Sequence, residues 1–200
     1  TYPDGKNVYN DISFTAEPGQ IIGVTGPVAS GKSTFGRTFL CEYPYEGSIR
    51  YNGCELRNAA DNVRSGIISY LGHDPELFND SVRNNVLLGD DYDVFEYLRV
   101  VCMDKEVEAM EQGADTRLSG GQAQRIALAR TLCHKKLVLV LDDPFSALDR
   151  NTEEQIYKKL KDMASDNIVI LISHRLYMFP KMDKVIWMDA GMVNVGTHKE

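Results

Sequence analysis

The sequence predicts an α/β layered domain with a mostly parallel sheet, a small antiparallel β subdomain and an inserted helical subdomain. Three observations predict it. The runs Leu137-Val138-Leu139-Val140-Leu141 and Ile168-Val169-Ile170-Leu171-Ile172 are unbroken apolar stretches, as strands are when a parallel sheet is covered on both faces. Helical stretches alternate with such runs, which is the pattern of layered α/β domains. From about residue 80 to residue 136 the strand pattern lapses, and apolar residues recur at helical spacing, as in Val94/Leu98/Val101 and Ile126/Ala129/Leu132.

Taken in order, residues 11–15 alternate polar and apolar and predict a strand, ended by the turn Glu17-Pro18-Gly19-Gln20. Ile21-Ile22-Gly23-Val24 predicts a buried strand, and residues 33–40 the helix after it. Pro44 and Gly47 close that region. Ser48-Ile49-Arg50-Tyr51 followed by Asn52-Gly53 predicts a β-hairpin, because Asn-Gly suits the positive φ angles of a tight turn. Residues 67–71 predict a strand. After the helical stretch, residues 137–141, 168–172 and 185–188 are strands, with an amphipathic helix over 151–163 and a turn at Gly191. The expected organisation is one domain over 1–200: a core with its β subdomain from 1–79 and 137–200, and the helical subdomain over about 80–136.

Two hundred residues suffice to bury a substantial core. The net charge of −7 provides no broad basic footprint for nucleic acid, so no nucleic-acid partner is expected. Cys41, Cys54, Cys102 and Cys133 show no C-x-x-C spacing and read as reduced, mostly packed thiols. No stretch reaches the eighteen or so apolar residues that span a bilayer, and no signal peptide is evident. The chain opens in mid-pattern and reads as a domain of a longer protein.

The residues Gly26-Pro27-Val28-Ala29-Ser30-Gly31-Lys32-Ser33-Thr34 fit G-x-x-x-x-G-K-[ST], between a predicted strand and a predicted helix. This is the P-loop of a nucleoside triphosphatase core: the glycines let successive N–H groups form an anion nest, Lys32 reaches the β/γ-phosphates, and the Ser33 hydroxyl binds Mg²⁺. Ala29 fits such a nest if its backbone stays right-handed helical.

A second constellation supplies the acids. The strand 137–141 ends in Asp142-Asp143, where open α/β sheets bind ligands. Asp142 would hold Mg²⁺, which prefers hard oxygen donors and retains several waters. Asp143 would polarise an attacking water. A pair of solvated acids at a strand end is the plain alternative. Leu118-Ser119-Gly120-Gly121-Gln122 precedes a helix, with Ser119 suited to cap it and glycines that bare backbone N–H groups. Alone, that stretch reads as an ordinary capped helix.

Taken together these residues resemble the nucleotide-binding domain of an ATP-binding-cassette (ABC) transporter. L-S-G-G-Q at 118–122, followed by Gln124-Arg125, is that family's signature sequence. The order of P-loop, signature, Asp142-Asp143, Ser146-Ala147-Leu148-Asp149 and His174 matches the family along nearly the whole chain. Tyr2-Pro3, Asp74-Pro75-Glu76-Leu77-Phe78 and the terminal Gly196-Thr197-His198-Lys199-Glu200 are similar to exporter-type domains. The resemblance implies ATP and Mg²⁺ as ligands, and a place on the cytoplasmic face of a membrane, peripheral or fused to membrane-spanning segments; about six hydrophobic spans ahead of Thr1 would confirm a fused half-transporter. It implies partners too: transmembrane domains of the transporter and a second nucleotide-binding domain, in a homo- or heterodimer. Tyr2 would stack on adenine, or is a surface tyrosine. Ser119, Gly120, Gly121 and Gln122 would cap the γ-phosphate held by a partner domain, in a head-to-tail dimer with two composite sites. Residues 146–149 would connect those sites, and Asp149 also reads as a helix start. His174 would hydrogen-bond the γ-phosphate, although a lone His after a strand is usually structural. Residues 74–79 would border a groove for a membrane-domain helix, with Phe78 exposed there or in the core.

Three departures from the family pattern matter. The family usually has Glu where Asp143 stands, and Asp is one methylene shorter. It usually has Gln where His73 stands, as a ligand of Mg²⁺ and of the attacking water. The run from Gln112 to Leu118 is also shorter than in exporters. Asp143 and His73 are similar to the degenerate half of heterodimeric exporters, and to the first domain of multidrug-resistance-associated proteins. The expected function is therefore ATP binding and hydrolysis that powers export, at a reduced rate. The alternative is a non-hydrolytic regulatory domain whose partner performs the chemistry. The chromosome-maintenance relatives of the cassette insert a coiled coil for which this chain has no heptads, and the tandem ribosome-acting cassettes are expected to be basic.

Overall fold

A computed structural model describes residues 11–111, 117–189 and 192–196. Tyr2, residues 112–116 and the last four residues lie outside that set. The elements are β1 (Ile21–Thr25), α1 (Lys32–Thr38), β2 (Arg50–Tyr51), β3 (Cys54–Glu55), α2 (Asp61–Ile67), β4 (Ile68–Leu71), α3 (Val82–Leu87), α4 (Val94–Val100), α5 (Asp104–Glu111), α6 (Gly120–Cys133), β5 (Val138–Asp142), α7 (Arg150–Met163), β6 (Ile168–Ile172), β7 (Lys184–Asp189) and β8 (Met192–Gly196).

Six strands form one sheet in the order β4-β5-β6-β1-β7-β8. The first five run parallel; β8 returns antiparallel on β7. Alternate residues of the central strands enter two apolar layers. Ile21, Leu139, Leu141, Val169 and Leu171 face Ile126, Leu128, Ile156 and Leu160 of α6 and α7. Ile22, Val138, Val140, Ile170 and Ile172 face Phe35 and Phe39 on the α1 side. Both faces are covered, which is why these strands are continuously apolar. Helices α3, α4 and α6 share the first layer through Val86, Leu98 and Leu132.

The small hairpin β2–β3 pairs Tyr51 with Cys54 across Asn52-Gly53, whose φ angles of 46° and 79° are those of the anticipated tight turn. One expectation is corrected. Residues 11–15 are not a strand: Ile12 and Phe14 pack onto the α1-side layer, so their alternation reflects one-sided burial without a ladder partner. The cysteines are free, and three of the four pack as anticipated: half-buried Cys41, Cys102 and Cys133 lie against the apolar layers, whereas Cys54 is exposed.

Candidate functional site

The carboxyl edge of the sheet gathers the expected residues because of the strand order. His73 follows β4, Asp142-Asp143 end β5, His174 follows β6, and the loop 26–31 follows β1. Adjacent parallel strands lie about 4.8 Å apart, so four segments converge on one strip. The ladder continues past the strand ends: the Asp143 amide donates to Ile172 O at 2.9 Å, and the Ser173 amide to Val24 O at 3.0 Å.

In the loop, Gly26 has φ 146° and a Cβ there would lie 1.8 Å from Met188 O, so only glycine fits. Gly31 caps α1 at φ 95°, a left-handed value that glycine adopts without strain. Ala29 has φ 64°. This corrects the right-handed expectation and counts against Ala29's part in the nest; a left-handed angle costs an L-residue about 1–2 kcal/mol. Lys32 Nζ donates to Gly26 O at 3.0 Å, Pro27 O at 2.6 Å and Ser30 Oγ at 3.4 Å. The ammonium is thus satisfied by the loop itself. Burial lowers its pKa, while Asp142 and Asp143 act in the opposite direction. Pro27, Val28 and Ser33 are exposed, whereas Thr34 is buried.

Asp142 is 3% exposed and accepts a hydrogen bond from the Tyr70 hydroxyl at 3.3 Å. Burial and then Asp142 push the Tyr70 phenol up to about 12. Asp143 is also buried, at φ 50°. Burial raises its pKa; His174 and His73 pull it down and Asp142 adds to the rise. His73 Nδ1 lies 3.7 Å from Asp143 Oδ2, so the imidazole faces the shortened carboxylate. His174 is exposed.

The donor set tests the fit of a magnesium nucleotide. One exposed hydroxyl (Ser33) and one buried carboxylate (Asp142) are hard oxygens, and among the described residues no three His, Cys, Asp or Glu side chains form a cage. That set suits an ion that keeps its waters and takes its remaining ligands from phosphate.

Ser119 caps α6 in a capping box: its hydroxyl accepts from the Gln122 amide at 3.2 Å, and Gln122 Oε1 accepts from the Ser119 amide at 2.8 Å. Ser119 and Gly120 are exposed. Nothing lies within 4 Å of a Cβ built at Gly120, whereas one at Gly121 would sit 2.9 Å from Ala147 O, so α6 touches the loop 146–148. Gln122 also donates to Glu106 at 2.6 Å. Asp149 starts α7, accepting from the Asn151 and Thr152 amides at 3.0 and 3.1 Å. Phe78 is 64% exposed, not core, on a loop that the buried Asn85 amide binds at Phe78 O and Asp80 O.

The structure adds residues that sequence reasoning left without a role. Arg175 donates to Ser146 O at 3.0 Å, Leu148 O at 2.9 Å and the fully buried Glu153 at 2.6 Å. Gln124, 4% exposed, bonds Asp143 and the same loop. Each of Gln124 and Glu153 is a polar residue on its helix's apolar stripe, and that is the signal that could have found them.

With this geometry in place, comparison with known proteins is decisive. The family model described as ABC transporter matches residues 9–146. This chain belongs to the ABC transporter family. It is 34% identical to a probable multidrug resistance ABC transporter ATP-binding/permease protein, YheI of Bacillus subtilis (strain 168), over all of this chain and 37% of that protein. It is 36% identical to an ATP-dependent lipid A-core flippase of Pseudomonas syringae pv. tomato, over 98% of this chain and 35% of that protein. A bacterial Atm1-family ABC exporter solved with ATP bound superposes with a TM-score of 0.91 at 29% identity, covering 100% of this chain and 37% of that one. The chain is an exporter-type ABC nucleotide-binding domain and spans about a third of the length of these relatives.

Proposed function

We propose that this domain binds Mg²⁺-ATP on the loop 26–34 and hydrolyses it slowly, driving export across a membrane from its cytoplasmic face. The observation that carries the reading is the convergence of Lys32, Asp142, Asp143, His73 and His174 on one sheet edge, while Ser119 and Gly120 stand exposed. Lys32 would neutralise phosphate charge, with the amides of Gly26, Val28, Ala29, Ser30, Gly31 and Thr34 around it and Pro27, which has no N–H, shaping the turn. Ser33 and Asp142 would hold the metal. Asp143 would orient and deprotonate water, His73 would contribute to the water and the metal, and His174 would donate to the γ-phosphate. Tyr2, outside the described residues, would stack on adenine. Ser119, Gly120, Gly121 and Gln122 would complete the site of a second nucleotide-binding domain, in a homo- or heterodimer docked on transmembrane domains. Helices within 80–136 would form the helical subdomain that presents them, between core segments 1–79 and 137–200. No nucleic-acid partner is proposed.

The second reading, a regulatory domain that binds ATP and leaves hydrolysis to its partner, is favoured by the short reach of Asp143 and its contact with His73. Phosphate release as a function of chain concentration tests composite-site hydrolysis. The rate per chain should rise with concentration and vanish in Lys32→Ala. A rate per chain independent of concentration contradicts the head-to-tail site.

A further inference from the structure

We propose that Gln124 is a positioning residue for Asp143: its amide holds the Asp143 main chain in its left-handed conformation, and so sets where the carboxylate points. The proposal rests on the reading of Asp143 as the carboxylate that acts on water.

Gln124 sits one turn inside α6, and its side-chain amide is satisfied at both ends. Nε2 donates to Asp143 O at 2.9 Å and to Ser146 Oγ at 2.9 Å. Oε1 accepts from Ser146 Oγ at 3.1 Å and from the Ala147 amide at 3.2 Å. Such a buried, fully satisfied network specifies one local geometry. Asp143 needs that support, because φ 50° is a conformation L-residues enter only when their surroundings impose it. Its amide is fixed by Ile172 O and its carbonyl by Gln124, so the two bonds bracket the strained residue. An aspartate has little reach of its own: with one methylene between Cα and the carboxylate, a backbone rotation at 143 moves both oxygens directly.

The same amide makes a mechanical link. Ser119 caps the helix that carries Gln124, and Gly121 of that helix abuts Ala147 O. A shift of α6 against its surroundings therefore pulls on the Asp143 carbonyl. Gln124 joins the surface offered to a second domain to the carboxylate of this chain's own phosphate site.

The test uses Gln124→Glu, which keeps the shape and loses both N–H donors, and Gln124→Met, which keeps the length and loses every polar contact. Leu132→Ala, a buried α6 position away from the site, controls for lost stability. The first readout needs no hydrolysis: amide hydrogen exchange over residues 143–147, with the Ala147 amide as reporter, should rise about tenfold or more in Gln124→Met and stay at the parent value in Leu132→Ala. The second is single-turnover hydrolysis. The rate constant should fall about tenfold or more in both Gln124 variants, with the KM for ATP within about twofold of the parent, because a displacement near 1 Å is felt in the chemical step. If the parent chain hydrolyses no ATP, the ATPase reading falls, and the exchange arm alone decides whether Gln124 holds residues 143–147. Parent-like exchange across 143–147, or a rate loss no larger than that of Leu132→Ala, overturns the proposal.

Discussion

Replacing Ala29 by glycine should stabilise the domain, although glycine normally costs stability. Ala29 has φ 64° on an exposed loop, so its methyl group packs little and its backbone carries the strain of a left-handed L-residue, about 1–2 kcal/mol. Glycine removes that strain and enlarges the unfolded ensemble, at a cost of about 0.4–1 kcal/mol. The balance favours Ala29→Gly by roughly 0.5–1 kcal/mol, which for a domain of this size is a rise in melting temperature of about 1–4 °C. Val28→Gly provides the internal control. Val28 is 86% exposed and is not among the positive-φ residues, so only the entropic cost applies and stability should fall. Ala29→Val, a β-branched residue forced to the same angle, should fall further. Thermal and urea unfolding of the three variants read the effect. Equal losses in Ala29→Gly and Val28→Gly would refute the strain argument.

Two further outcomes follow from the same geometry. Gly121→Ala places a Cβ 2.9 Å from Ala147 O and should destabilise the chain in urea, whereas Gly120→Ala meets open space and should unfold like the parent or later, since alanine is the better helix former by about 1 kcal/mol. Burial raises the Asp143 pKa above the ordinary 3.8, so between those two values the native state holds more protons than the unfolded state. Stability from this group is full below pH 3.8 and declines as pH rises through the raised value. Asp143→Asn should flatten that decline and be the more stable protein at neutral pH, as read by urea unfolding at pH 4 and pH 7.

The parts of the fold legible in the sequence are those where one physical cause acts alone. Residues 137–141 and 168–172 are apolar throughout because helices cover both faces, and the structure places β5 and β6 there within a residue. Residues 11–15 carry a strand's alternation, yet Ile12 and Phe14 only lean on the apolar layer beside α1; alternation reports which side is buried, and a strand also needs a partner. The short helix α2 had no legible apolar stripe: of its residues only Ile67 is buried. At the site, the motifs name the residues because phosphate and magnesium chemistry demand those types. The backbone angles of Ala29 and Asp143 are legible nowhere in the sequence, because closure of the loop and a bond from Gln124 impose them. The same holds for Arg175 and Glu153, whose bonds join segments far apart in the chain.

The central claim is that this chain supplies its half of a composite phosphate site, whose chemistry is slowed by the length of one carboxylate. Single-turnover phosphate release from Asp143→Glu, beside the parent and at matched ATP occupancy, tests it most directly. The account predicts a rate about tenfold or more above the parent, a barrier lower by about 1.4 kcal/mol, with ATP affinity unchanged within about twofold. An unchanged or lower rate with affinity intact would contradict it.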